Sequence, residues 1–159
     1  MGEKMKPLIT AGMLALLASS LAGAAETRVI GSVDTNFKLL GRDDHIEIAT
    51  FNDEKIPNVS CYISYAKKGG LKGAIGIATD SSDASIHCIS NSPVDQALFD
   101  KLPQKERVWR KRSDLFFKTM QVVRFKDAQN KALVYLTYSD KLVDGSPKNA
   151  ITVVPITFK

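Results

Sequence analysis

Two cysteines constrain the fold of this chain more than any other feature. Cys61 lies in residues 59–65 and Cys88 in residues 84–89, two segments in which apolar and polar residues alternate. Each cysteine shares the apolar face of its segment, as a disulfide within a core requires. The pair therefore predicts a bond that closes a loop of about 26 residues and stabilises the fold by roughly 3 kcal/mol. The alternative is a reactive or metal-binding thiol pair, but the chain has no C-x-x-C motif.

The N-terminus has the three zones of a secretory signal. Lys4 and Lys6 give a basic start, and residues 8–21 are mostly apolar or small. Small residues then precede two alternative cuts, after Ala24 or after Ala25. A membrane anchor would need roughly 20 apolar residues, and this run is shorter. The pattern predicts a cleavable signal peptide and export to the periplasm through a Sec-type pathway.

Cleavage of the signal peptide, residues 1–25, would leave one domain, residues 26–159, in a compartment where cysteines oxidise. Translation from Met5 instead of Met1 would leave this expectation unchanged, because Lys6 supplies a basic start. Cleavage removes two lysines and one glutamate from 22 basic and 17 acidic residues, which leaves 20 and 16 and a net charge of +4. No later stretch is long and apolar enough to span a membrane, so no transmembrane segment is expected after cleavage.

The alternation predicts a mainly β (α+β) fold. Ile46 and Ile48 share one face of the first expected strand, and Pro155 would place the last strand at an edge or a bulge. We expect an antiparallel sheet folded as a sandwich or partial barrel, with one covering helix. The expected strands cover residues 45–51, 59–65, 84–89, 120–125, 133–138 and 151–158.

The helix is predicted to begin at Ser92, with Pro93 in its first turn, and to end before Pro103. Residues spaced four apart would form its apolar stripe against the sheet, namely Val94, Leu98 and Leu102.

A basic run over residues 101–126 is the strongest anomaly in the composition. It holds nine lysines and arginines, two acidic residues and four interleaved aromatic residues. Because an exported protein is not expected to meet nucleic acid, the anion would be a lipid head group, lipopolysaccharide, a wall polymer or an acidic protein of the envelope. The alternative is a solvated strand face whose aromatic neighbours turn into the core. The candidate anion-binding patch consists of Arg107, Arg110, Lys111, Arg112, Lys118 and Arg124.

Other polar residues support weaker hypotheses. Ser64 and Lys67 have the S-x-x-K spacing of some serine enzymes, but a strand would place them on opposite faces. His45 and His87 alone do not predict a metal site, and the glycine-rich residues 69–76 match no nucleotide-binding spacing. No metal and no cofactor are therefore expected. A polar site built from loops would draw on Asp34, Asp80, Asp83, Ser139, Asp140 and Lys148.

Several short blocks in fixed order resemble a known family. They are GSVDT at 31–35, VSCY at 59–62, AKKGG at 66–70, TDSSDA at 79–84, Cys88, QVVRF at 121–125, YSDK at 138–141 and GSPKNA at 145–150. With these blocks the chain resembles the CreA family of small bacterial periplasmic proteins. The resemblance covers nearly all of residues 26–159 and implies export, but it supplies no catalytic or binding residue.

Three functional hypotheses follow. The first is a non-enzymatic periplasmic accessory or binding protein, since the domain is small, carries the basic run and shows no recognisable catalytic set. The alternative is a small envelope hydrolase that uses the loop Asp, Ser and Lys residues. A third hypothesis is an interaction partner that docks another envelope protein through its edge strand, residues 151–158.

Overall fold

Alternating segments build most of the described chain into strands. The computed structural model describes residues 26–70, 84–112, 119–140 and 148–159. Within these ranges lie one helix and eight strands: β1 (Arg28–Asn36), β2 (Asp44–Asn52), β3 (Val59–Lys67), β4 (Ala84–Ser90), α1 (Gln96–Lys101), β5 (Lys105–Arg112), β6 (Thr119–Asp127), β7 (Ala132–Ser139) and β8 (Asn149–Pro155). The predicted signal peptide lies outside the described residues, as do Asp80, Asp83, Lys118 and most of the glycine-rich stretch.

The strands form two four-stranded sheets, each antiparallel throughout. The first has the order β1-β2-β3-β4 and the second β5-β6-β7-β8. Buried residues of both sheets form one apolar core. Within it Phe51 of β2 stacks on Trp109 of β5, with ring centroids 5.3 Å apart. The mainly β prediction is confirmed, and of its two forms the packed pair of sheets is found rather than a barrel.

The predicted disulfide is present. Cys61 of β3 stands directly opposite Cys88 of β4, with 4.0 Å between the Cα atoms. Both residues belong to the core, so the bond links neighbouring strands of one sheet and does not tie the two sheets together.

The face of β2 that carries Ile46 and Ile48 is the outer one. Ile46 is 42% exposed and Ile48 is 41% exposed, whereas Ala49 and Phe51 lie in the core. The inner positions at the start of β2 hold His45 and Glu47, both buried. The strand therefore turns polar side chains inward at one end of the core.

The helix is shorter than predicted, and its predicted start was wrong. Asp95 is the N-cap, and its carboxylate accepts a hydrogen bond from the backbone N–H of Leu98 at 3.1 Å. Val94 is held in extended backbone by a parallel bridge to Phe158, so the helix cannot begin at Ser92. A long-range strand contact here overrides the local capping signal.

The apolar stripe of the helix also differs from the prediction. Leu98 is exposed, whereas Phe99 is buried and meets the ring of Phe158 edge-on at 5.3 Å between centroids. Because the helix starts three residues later, a different side chain faces the core.

β1 was not predicted, because its residues do not alternate, and all nine of them are exposed. It pairs with β2 at the edge of the first sheet. At the edge of the second sheet, β8 ends at Pro155, three residues earlier than predicted. The segment around Tyr135 is central in the second sheet, since β7 lies between β6 and β8.

Candidate functional site

Polar side chains occupy the space between the sheets at the end where β2 begins. Glu47 of β2 stands directly opposite Tyr65 of β3 on the inner face, and His45 stands opposite Lys67 one row nearer the end of the sheet. Lys111 of β5 reaches these residues from the opposite sheet. We call Glu47, Tyr65, Lys67 and Lys111 the open-end cluster.

Hydrogen bonds connect the four members of the open-end cluster. The Tyr65 hydroxyl donates to Glu47 Oε1 and accepts from Lys111 Nζ. Lys67 Nζ lies 2.6 Å from Glu47 Oε2, and Lys111 Nζ lies 3.2 Å from Glu47 Oε1. The Lys111 ammonium also lies over the Tyr65 ring, 4.3 Å from its centroid. Both carboxylate oxygens of Glu47 therefore accept hydrogen bonds.

The environment shifts three pKa values in this cluster. Burial disfavours the charged form of Glu47, but hydrogen bonds from Lys67 and Tyr65 and the charge of Lys111 outweigh it and lower the pKa of Glu47 to about 2. Burial and the contact with Glu47 raise the pKa of Tyr65, which keeps its hydroxyl neutral. Burial and the nearby charge of Lys67 lower the pKa of Lys111. At neutral pH, with both lysines protonated, the cluster has two ammonium groups for one carboxylate.

Buried polar atoms without partners lie on the same inner faces. His45 Nδ1 is 2.9 Å from the carbonyl oxygen of Asp43. A carbonyl oxygen can only accept a hydrogen bond, so the ring proton is assigned to Nδ1. His45 Nε2 then has a free lone pair, and it has no hydrogen-bond partner among the described residues. On the opposite sheet Ser139 Oγ also lacks one. Ser139 stands in one cross-strand row with Met120 and Lys111. Buried orphan groups of this kind are uncommon in proteins and call for an explanation.

A second polar cluster lies at the opposite end of the core. Arg124 of β6 donates to both carboxylate oxygens of Asp53 at 2.6 Å and also to Glu106 of β5. The Tyr135 hydroxyl donates to Asp53 at 2.9 Å, and Lys55 pairs with Glu106 at 2.5 Å. We call these five residues the closed-end cluster, because the Arg124 side chain is 0% exposed.

The closed-end cluster changes the composition of the predicted anion-binding patch. Arg124 is fully buried and bonded to two carboxylates, so it offers no group to an external anion. Lys111 also faces inward, toward Glu47. Arg112 belongs to β5 opposite Thr119, and Lys118 lies outside the described residues. Of the six patch residues, the structure places the side chains of Arg107 and Arg110 on the outer side.

A β-bulge in β5 decides which basic residues face outward. The register with β6 shifts between Arg107 and Trp109. Trp109 and Lys111 lie inward beyond the shift, and Glu106 lies inward before it. Because a bulge adds one residue, Lys105 and Arg107 take outer positions that strict alternation with Trp109 would have placed inside. With Arg110 they form what we call the basic edge.

The basic edge continues into apolar residues on the outer face of the second sheet. One cross-strand row runs from Lys105 through Phe125 and Val134 to Val153, and the Lys105 ammonium lies 5.7 Å from the Phe125 ring centroid. The next row runs from Arg107 through Val123 and Leu136 to Ile151. Val153 is 52% exposed and Ile151 is 61% exposed. Each row thus joins a cation at one edge to an exposed aliphatic residue at the other.

Four residues of the predicted polar loop site, Asp34, Ser139, Asp140 and Lys148, lie among the described residues. Asp34 is exposed on β1 in the first sheet, whereas Ser139 is buried in the second. Asp140 accepts a hydrogen bond from Gln121 at 2.7 Å, away from Ser139 Oγ, which has no partner among the described residues. Lys148 precedes β8 and is exposed. The residues of this hypothesis that can be placed do not converge.

The S-x-x-K residues lie on opposite faces of β3, as strand geometry predicts. Ser64 Oγ is 2.8 Å from Ser85 Oγ on the outer face, while Lys67 binds Glu47 within the open-end cluster. His87 is exposed opposite Tyr62 on the outer face, far from the inward-facing His45. In the described ranges no three His, Cys, Asp or Glu side chains come together as metal ligands would.

The sequence analysis did not predict that Glu47, Tyr65 and Asp53 form the hydrogen bonds that hold the two polar clusters together. One signal was present for Glu47, because it alternates with Ala49 and Phe51, and a carboxylate in such a position needs a partner. Asp53 gave no such signal, since it lies beyond the end of β2 and its partner Arg124 is 71 residues away.

Comparison with known proteins identifies one family that this chain matches. The family model described as "CreA protein" matches residues 30–159. Proteins named "Protein CreA" from Escherichia coli strain K12 and from Escherichia coli O157:H7 are each 49% identical to this chain over 148 residues, which cover 91% of this chain and 93% of the relative. No solved structure matches the chain. No helix in the described part of the chain is long and apolar enough to cross a membrane.

Proposed function

We propose, from the premise that this chain belongs to the CreA family, that it is an exported periplasmic accessory protein that binds an anionic lipid surface of the cell envelope. The observation that carries this proposal is the outer face of the second sheet, which has the basic edge on β5 and exposed aliphatic residues on β8 at the other edge. Lipid surfaces combine the same two features, since anionic head groups lie next to acyl chains.

The charges of the basic edge are available for such a contact. Lys105, Arg107 and Arg110 form no ion pair with any carboxylate of the described residues, whereas Arg124 and Lys111 are paired inside the fold. Each basic residue near an anionic membrane contributes on the order of 1 kcal/mol to binding. Three such residues would together contribute on the order of 3 kcal/mol, and this part of the contact should weaken as salt rises.

The small-hydrolase alternative has less support. A serine nucleophile needs a base within hydrogen-bonding reach. Ser139 Oγ has no hydrogen-bond partner among the described residues, and Ser64 Oγ contacts only another serine hydroxyl in that part of the chain. Binding therefore accounts for the arrangement better than hydrolysis does.

Co-sedimentation with vesicles tests the lipid proposal. We expect the protein to bind phosphatidylglycerol vesicles at low salt and to bind phosphatidylcholine vesicles much less. Replacing both arginines, as R107Q/R110Q, should weaken binding by roughly 30-fold. The matched control K101Q/K159Q changes the net charge equally at two other exposed positions and should bind nearly as well as the unaltered chain. Equal binding by all three proteins, or equal loss in the control, would overturn the proposal.

Export is tested by the N-terminus of the protein recovered from the periplasm. The predicted cuts give a chain that starts at Ala25 or at Glu26. N-terminal sequencing should find one of these, and a periplasmic form that still begins at Met1 or Met5 would contradict cleavage.

A further inference from the structure

Among the described residues, the open-end cluster has more cations than carboxylates. Lys67 and Lys111 share the single carboxylate of Glu47, and Tyr65 contributes no second anion because its hydroxyl is neutral. The two ammonium groups repel each other, although each is paired with the same Glu47 carboxylate. The lysine side chains are 37% and 35% exposed, so their ammonium groups can be reached from outside.

A neighbouring carboxylate does not remove this excess. Asp44 lies at the start of β2, but its side chain is engaged by Lys38 at 3.1 Å, by Lys68 at 3.9 Å and by the backbone N–H of Gly69 at 2.7 Å. The Asp43 carboxylate lies in the same group and accepts a hydrogen bond from the backbone N–H of Lys38 at 2.7 Å. Within the described residues, neither of these two carboxylates pairs with Lys67 or Lys111.

An unpartnered acceptor lies beside the cluster. His45 is 4% exposed, its Nε2 has no partner among the described residues, and it stands directly opposite Lys67 in the β2–β3 register. With its proton on Nδ1, the ring can accept a hydrogen bond at Nε2. The site thus offers ammonium donors for an anion and one acceptor for a hydroxyl.

We propose that the open-end cluster and His45 form a binding site for a small oxyanion that also carries an O–H group. The anionic oxygens would bind Lys67 and Lys111, and the O–H would donate to His45 Nε2. Hydrogen phosphate and α-hydroxycarboxylates share this chemistry. The site lies between the sheets and is separate from the basic edge on the outer face, so it does not depend on the proposed lipid contact.

Nitrogen-15 NMR of the two histidine rings tests this site. The full mature chain would be titrated with inorganic phosphate, with glycolate and, as a carboxylate without a hydroxyl, with acetate, all at constant ionic strength. We expect the His45 Nε2 resonance to shift in a saturable way with phosphate, glycolate or both, and much less with acetate. His87, exposed on the outer face, is the internal reference and should not shift.

A response to phosphate alone or to glycolate alone would support the site and identify the class of ligand. No saturable shift with either compound would overturn the proposal, as would a response to acetate of equal strength. The single variants K67Q and K111Q each remove one charge-assisted hydrogen bond and should weaken binding about tenfold or more. Circular dichroism would verify that each variant is folded, and unchanged affinity in both folded variants would also refute the proposal.

The two proposals can fail independently. R107Q/R110Q should keep the His45 response while it loses vesicle binding, and K67Q should keep vesicle binding while it loses the His45 response. Loss of both activities in either variant would contradict the assignment of two separate sites.

Discussion

The two polar clusters at opposite ends of the core solve the problem of buried charge in different ways. At the closed end two cations, Arg124 and Lys55, meet two carboxylates, Asp53 and Glu106. At the open end two cations meet one carboxylate. The closed-end guanidinium of Arg124 is 0% exposed, although Lys55 at the rim of that cluster is 53% exposed, and the open-end lysines are about one-third exposed. The closed-end charges are matched within the fold, while the open end has one more cation than carboxylate among the described residues.

The hydrogen bonds around the two carboxylates sharpen this contrast. Asp53 accepts from Arg124 and Tyr135 and also from the backbone N–H groups of Lys55 and Ile56, so its position is fixed by the chain itself. Glu47 accepts only from side chains, Tyr65 and the two lysines, among the described residues. Among the described residues, the closed-end carboxylate is therefore held by backbone and side chains together, and the open-end carboxylate by side chains alone.

The largest expected effect is the loss of Arg124. R124Q would leave Asp53 buried without its cation, and breaking a buried pair in this way costs about 3–5 kcal/mol of unfolding free energy. Urea denaturation of the variant would measure this loss. The control R107Q removes an outward arginine from the neighbouring strand and should change stability by less than about 0.5 kcal/mol. Similar stability of both variants would mean that the closed-end cluster does not hold the core together.

An intermediate effect is expected for Glu47. E47Q keeps the shape of the side chain but leaves Lys67 and Lys111 without a carboxylate, which should cost about 1–3 kcal/mol at neutral pH. The folded-state pKa of about 2 lies below the ordinary value of 4.5, so the stabilisation from Glu47 is complete above pH 4.5.

This stabilisation is lost as the pH falls from about 4.5 toward about 2, because the unfolded chain then takes up a proton more readily than the folded one. Denaturation at a series of pH values should therefore show a shallower acid slope in E47Q than in the unaltered chain. D53N is a poor control because it disrupts the core, whereas D140N removes an exposed carboxylate and should leave the Glu47 contribution intact. Parallel acid slopes for E47Q and the unaltered chain would contradict a paired Glu47.

The smallest effect is expected for Lys111. K111Q removes one of two cations at the open end, and Glu47 keeps its hydrogen bonds with Lys67 and Tyr65. The relief of lysine–lysine repulsion offsets the lost contact, so unfolding free energy should change by less than about 1 kcal/mol. Thermal denaturation compared with R124Q tests the contrast directly. If K111Q lost as much unfolding free energy as R124Q, the open-end cluster would stabilise the core as strongly as the closed-end cluster does.

Sequence predicted the parts of this fold that depend on local alternation. The segments around Cys61 and Cys88 alternate over five or more residues, and their register follows from the need to bury both sulfurs. The strands expected over residues 120–125 and 133–138 lie within β6 and β7. These features need no knowledge of distant residues.

The remaining features depend on contacts between distant residues. The bulge between Arg107 and Trp109 has no sequence signal, yet it decides that Arg107 faces outward. Arg124 alternates with Met120 and Val122, which indicates an inward position. The ion pair with Asp53 is what allows a charged side chain to be buried there. The bridge between Val94 and Phe158 likewise overrides the start of the helix. The open-end cluster was missed for this reason, since both sheets contribute to it.

The position of the disulfide also affects how the chain would respond to a cut backbone. Cys61 and Cys88 close a covalent ring that contains every residue between them. A protease that cleaves one peptide bond inside this ring would open it without releasing a fragment. The two pieces would separate on a gel only after reduction, and β3 and β4 would stay side by side. The chain can therefore be cut once between these strands and remain one molecule.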